Sequence, residues 1–136
     1  RVPYPEKGYE NLYTFRANET MIVGKPVGWH LGYPLNSGPE GFQKGLGAVA
    51  LVFSKEAVIT LLKAEHLVDR PQDTGRGWKA IDGGIVTAMN KAGWHEWIHS
   101  PSLVQHTGDV SSMGNRPHAL AESFRGEDFD ALSLLS

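Results

Sequence analysis

Between residues 45 and 115 the apolar and polar positions alternate in blocks that read as strand, helix, helix, strand. Gly45-Leu-Gly-Ala-Val-Ala-Leu-Val-Phe53 is apolar throughout, the pattern of a buried strand whose glycines let other backbone come close. Ser54 then caps a helix predicted over 55–66, with Glu56 near the positive end of its dipole. Ala57, Val58, Leu61 and Leu62 form its apolar stripe. The stretch 67–78 is polar, carries Pro71, Gly75 and Gly77, and is a loop. A second helix is predicted over 79–92, because Ile81, Ile85, Ala88, Met89 and Ala92 share a face and Gly93 stands at the expected stop. Trp94–His99 and Ser102–His106 are short β-prone runs joined around Pro101.

Outside this core the pattern weakens. Residues 1–44 are punctuated by Pro and Gly every few positions, with β-prone pieces around Tyr9–Phe15 and Thr20–Val23. So long an irregular opening is expected of a binding loop, or of a segment that packs on another part of a larger fold. Residues 116–136 form a polar tail whose final Ala-Leu-Ser-Leu-Leu suits one last helical turn. The expected fold class is α/β: one domain over 1–136, with a mixed sheet and two principal helices.

Composition narrows the function classes. A formal net charge of −2 gives no electrostatic reason to expect nucleic acid, and no apolar run approaches the length of a membrane span. The absence of cysteine excludes disulfides and thiolate chemistry and leaves the compartment open. No signal-peptide pattern opens the chain, and a start at Arg1 is expected of a processed or excised piece of something longer. Four Trp in so short a chain suggest planar surfaces on which a pyranose ring stacks, Trp78 among them, although Trp also fills core.

Candidate chemistry concentrates in two places. Asp82 opens the second helix, where backbone amides favour a carboxylate and suit it to act as a base or to accept from hydroxyls. An ordinary helix-start Asp serving the dipole is the plainer reading. Gly83 and Gly84 beside it mark close approach of a ligand or of other backbone. Further on, the run from Pro101 to His106 is predicted to end in a loop carrying Ser111, Ser112 and Asn115, the usual way a scaffold presents ligand-binding groups. His106, where that strand stops, suits metal ligation or proton transfer. The letters of a zinc-hydrolase motif also occur, as His95-Glu96-Trp97-Ile98-His99. That motif needs a helix, whereas this run follows Gly93, is flanked by Trp and meets Pro101. In a strand its two histidines would stand ~13 Å apart. Asp128-Phe129-Asp130 has the spacing of a paired-aspartate metal motif but lies in a charged tail, where a solvated turn is expected.

Three pieces in this order resemble the C-terminal, acceptor-side half of bacterial glycosyltransferases with the GT-A fold. They are Gly45-Leu-Gly-Ala-Val-Ala-Leu-Val-Phe-Ser54-Lys-Glu-Ala57-Val58, Ala80-Ile-Asp82-Gly-Gly-Ile-Val86, and Pro101-Ser-Leu-Val-Gln-His106 with its loop and Phe124-Arg-Gly126-Glu-Asp128-Phe. The resemblance implies a nucleotide-sugar donor, a carbohydrate or other hydroxyl acceptor, and Mn²⁺ or Mg²⁺. It implies Asp82 as the base or acceptor-orienting residue and His106 as the group near the diphosphate and its ion. The nucleotide-binding N-terminal half with its own paired aspartates has no counterpart here, so the resemblance also implies a missing half or a partner chain that supplies it. Two other classes stay open: a non-enzymatic carbohydrate-binding domain using Trp29, Trp78, Trp94 and Trp97, and a zinc hydrolase on His95, Glu96 and His99.

Overall fold

The computed structural model describes residues 7–68, 81–107 and 119–135. Their strands form a mixed four-stranded sheet: β1 (Gly8–Asn11), β2 (Gly28–Leu31), β3 (Leu51–Val52) and β4 (His95–Ser100), in the order β2-β4-β1-β3. β1 runs parallel to β4, while β2 and β3 lie antiparallel at the two edges. The helices are α1 (Ala17–Ile22), α2 (Lys55–Leu62), α3 (Glu65–Val68) and α4 (Ile81–Lys91), and a 3₁₀ turn spans Ala131–Leu135. The α/β class is as the sequence predicts.

Several elements form for the expected reasons. Ser54 Oγ accepts from the Ala57 amide and caps α2. α4 ends in a Schellman motif, because the Trp94 amide reaches the Met89 carbonyl and the Gly93 amide reaches Asn90, with Gly93 at φ 82°. Asp128 and Asp130 lie in an exposed turn, where Asp130 Oδ1 accepts from the Leu132 amide and starts the terminal 3₁₀ turn.

Other expectations are corrected. The apolar run 45–53 is strand only at Leu51–Val52. Gly45 and Gly47 take φ 68° and 75°, a left-handed conformation that turns the chain instead of extending it. Thr20–Val23 is not β but largely α1, closed by local bonds such as Asn18 N–H to the Phe15 carbonyl. Ser102–His106 makes no strand: the Leu103 and Val104 amides converge on one carbonyl, Leu12, and the Ser102 amide goes to Ser123 Oγ. The helix predicted over 55–66 breaks at Lys63–Ala64 into α2 and α3. Residues 1–44, expected to be irregular, supply one of the two inner strands, β1, the edge strand β2 and α1.

Alternation along β1 and β4 turns Tyr9, Asn11, Glu96 and Ile98 to one buried face. There Tyr9, Ala57, Val86 and Met89 form a core with Leu51, Phe53, Leu61, Ile85 and Trp94 around it, and the Tyr9 and Phe53 rings stack at 4.9 Å. The inward face of α4 is therefore Val86, Met89 and Asn90, while Ile81 and Ala92 of the predicted stripe are exposed. A second cluster of Tyr13, Phe15 and Ala121 gathers Leu46, Val104 and Phe124.

Gly45 is the tight joint between these layers. A Cβ there would collide with Val86 Cγ1 and lie 2.8 Å from the Asp82 carbonyl, on top of the left-handed φ. Gly45→Ala should lower unfolding free energy by about 2–4 kcal/mol, overpacking added to backbone strain. Gly93→Ala, whose Cβ meets open space, should cost only about 1 kcal/mol. Urea midpoints of the two variants test the difference, and equal losses would contradict the packing account.

Candidate functional site

Asp82 stands in the first turn of α4, half-buried. Its Oδ2 accepts from the Gly47 amide at 2.9 Å and its Oδ1 from the adjacent Gly83 amide at 3.0 Å. The carboxylate thus holds the 45–47 turn against the start of α4, and each oxygen keeps a lone pair for one more donor. Gly83 contributes that amide. Gly84 brings its bare Cα against α3, where a Cβ would come 3.1 Å from Leu67 Cδ2.

His106 is joined to the same turn through Tyr13. Its ring is tilted against Tyr13 at 6.4 Å between centroids, and its amide donates to Gln105 Oε1. Tyr13 stacks on Phe15 at 4.4 Å, and a Cβ on Gly47 would touch both rings. Leu46 and Val104 pack on this same cluster. Asp82 and His106 therefore both connect to the turn through Gly47, one bonded to its amide and the other through the Tyr13 ring. Trp78, Ser111, Ser112 and Asn115 lie outside the described residues.

The His95–His99 segment is strand β4, not helix. Alternation sends His95 and His99 to the face opposite Glu96, so the zinc-hydrolase geometry is absent. Burial lowers the His99 pKa, partly offset by its Nδ1–H donating to the Pro101 carbonyl at 2.8 Å. Among the described residues no group of three or more His, Asp or Glu side chains is gathered to hold a metal ion. The described side chains do not, then, build a resident cage for the Mn²⁺ or Mg²⁺ that the resemblance implies. Of the proposed Trp platforms, Trp94 packs against the core, whereas Trp29 and Trp97 are half-buried on the face away from α4.

Sequence reading assigned Glu96 only to the zinc motif, yet it is the most perturbed acid described. It is 3% exposed, and burial raises its pKa to about 7. Tyr9, Asn11 and Asn18 oppose that rise, and the negative charge of Asp82 adds to it. The Tyr9 hydroxyl donates to Glu96 Oε2 at 3.1 Å and is itself pushed far above its ordinary value, chiefly by burial and then by the Glu96 charge. The backbone of Glu96 is paired by a side chain: its amide donates to Gln43 Oε1 at 2.7 Å, and Gln43 Nε2 donates to its carbonyl at 2.8 Å. Asn90 of α4 completes the network, donating to Gln43 Oε1 and accepting from the Gln43 amide. The signal was present in the period-two run His95-Glu96-Trp97-Ile98, which puts Glu96 on the buried side with Ile98.

No family profile, curated protein or solved structure matches this chain.

A folded-state pKa near 7 against an ordinary unfolded carboxylate fixes a sign. Between about pH 4.5 and 7 the folded state holds a proton that the unfolded chain has lost, so stability falls as pH rises through that window and levels off above it. The loss is roughly 3 kcal/mol. Glu96→Gln should remove this slope and unfold at higher temperature than wild type at pH 8. Thermal melts from pH 5 to 8 test it, and parallel slopes in the two proteins would contradict it.

Proposed function

We propose that the chain is the acceptor-side portion of a glycosyltransferase that moves a sugar from a nucleotide-sugar donor to a hydroxyl acceptor. One observation carries the reading: the Asp82–Gly47 hydrogen bond of 2.9 Å. It joins two of the three segments on which the resemblance rests, and the third reaches the same place through Val104, His106 and Phe124 around Tyr13. Segments far apart in sequence thus surround one turn.

In this reading Asp82 takes the acceptor proton, the acceptor oxygen bonds to the anomeric carbon, and the bond to the diphosphate breaks with its electrons leaving on the nucleotide. The two backbone amides on Asp82 hold its carboxylate aimed. Mn²⁺ or Mg²⁺ would arrive on the diphosphate, whose charge it neutralises, with His106 as the nearby imidazole. Gly83, Gly84, Trp78, Ser111, Ser112 and Asn115 are proposed to line the substrate. A partner chain or a further half would complete donor binding.

A second reading has its own observation. Trp29 is held by an edge contact with His99 at 4.9 Å, beside Trp97 and the 46%-exposed Leu31, on a half-open sheet face. Such a face suits a metal-independent carbohydrate-binding domain.

Millimolar UDP or GDP with Mn²⁺ should raise the melting temperature, reflecting about 2.7 kcal/mol at a hundredfold excess over Kd. Asp82→Asn should keep that shift while lowering sugar transfer by about 100-fold or more. Absence of any shift would remove donor binding by this chain. Glycan binding that needs no metal and survives Asp82→Asn would favour the second reading.

A further inference from the structure

The cluster around Glu96 plays no part in the proposed transfer, and its geometry is unusual. Asn18 of α1 is 1% exposed; its Oδ1 accepts from the Tyr33 amide at 2.8 Å, while its Nδ2 has no partner. A Cβ on Gly32 would lie 3.2 Å from Glu96 Oε1 and 3.6 Å from Asn18 Oδ1. The carboxyl is therefore roofed by a bare glycine backbone and an amide with one hand free. Gly32 and Gln43, both against Glu96, also line a pocket of about 210 Å³ with Met21, Leu31, Phe42 and His95.

We propose that Glu96 is a proton-operated latch: neutral, it closes α1 and the 32–43 segment onto β4; ionised, it loosens them and opens the pocket they border.

The groups facing Glu96 explain why ionisation must be answered by movement. β1 offers Tyr9, which can donate one hydrogen bond, and Asn11, whose amide also donates to the Leu46 carbonyl. α4 offers the acid Asp82, whose charge is repulsive. α1 offers the amide of Asn18, and the 32–43 segment offers Gly32 and Gln43, none of them charged. On β2, His30 is turned to the Pro26 carbonyl at 2.9 Å. No cation is among the groups that shift Glu96. A buried carboxylate needs several donors or water. Asn18 Nδ2, near the carboxylate but without a hydrogen-bond partner, is the donor that must close on it, and drawing it in shifts the Oδ1 that holds the Tyr33 amide. Water reaches Oε1 most directly where Gly32 moves. Both responses loosen the same seam, between α1 and the start of the 32–43 segment.

Two measurements on the whole chain test this. Carbon-13 NMR of the glutamate carboxyls should show one group titrating near pH 7. Hydrogen exchange, corrected for its intrinsic pH dependence, should quicken in segments 17–22 and 32–43 by up to about tenfold per unit from pH 5 to 7 and level off above. Segment 86–90 should not respond. In E96Q the pH response should vanish. A Glu96 midpoint below about pH 5 overturns the latch. So does a midpoint near 7 without faster exchange in those two segments, or a response that persists in E96Q. If E96Q does not fold, the wild-type midpoint and exchange profile decide alone.

Discussion

Where β2 stops at Leu31, the Gly32 amide still reaches the Glu96 carbonyl, and the carboxamide of Gln43 takes the Glu96 amide and shares that carbonyl. That side chain meets the amide and the carbonyl of Glu96 as a neighbouring strand would. Its oxygen also accepts from Asn90, and its own backbone amide donates to Asn90. One residue thereby ties the sheet, α4 and the 32–43 segment. All of these groups are buried, so losing a partner would leave polar atoms unsatisfied at about 1–3 kcal/mol each. The position of α4, and with it of Asp82, follows from this joint.

The placement of α4 has two consequences that compete for one core. Its apolar face, Val86 and Met89, packs on Tyr9 and builds the main hydrophobic cluster. Its first turn carries Asp82 to the 45–47 turn, where the proposed chemistry would take place. Between them lies Glu96, buried on the same face, bonded to the Tyr9 hydroxyl and close enough to Asp82 to feel its charge. A polar seam thus runs under an apolar layer, and an acid sits in it with amide and hydroxyl neighbours in place of a base. This arrangement is less stable than an apolar core of similar volume near neutral pH, which makes the seam a natural place for function.

Local rules in the sequence were reliable where a short-range bond decides the outcome. The Ser54 cap, the Gly93 stop and the Asp130 turn all depend on partners a few residues away. The same rules failed where distant contacts compete with them. The apolar run 45–53 looks like a strand, but Asp82 and Asn11 bond to its early backbone and the positive φ of its glycines turns it. Ile81 looks like core by spacing, yet α4 is rotated by the burial of Asn90, a polar residue that no apolar pattern would place inside. Trp94 looked like a platform and is packing.

Within the candidate site, Asp82 and His106 were legible as separate residues, because each is the kind of group that a helix start or a chain turn presents. That they connect to one turn could not be read from their separation in sequence, since Gly47 and Tyr13 make the link. Composition and periodicity by themselves determined an α/β fold, the Ser54 cap of α2, the Gly93 stop of α4 and a β-prone run at 94–99. Tertiary structure alone decided that Glu96 has amides and a tyrosine around it, that Gln43 stands in for a strand, and that residues 7–31 form one inner strand and one edge of the sheet. The physical reason is range: caps and turns are set by bonds within one helical turn, whereas burial of a polar group is set by partners that only the folded chain brings together.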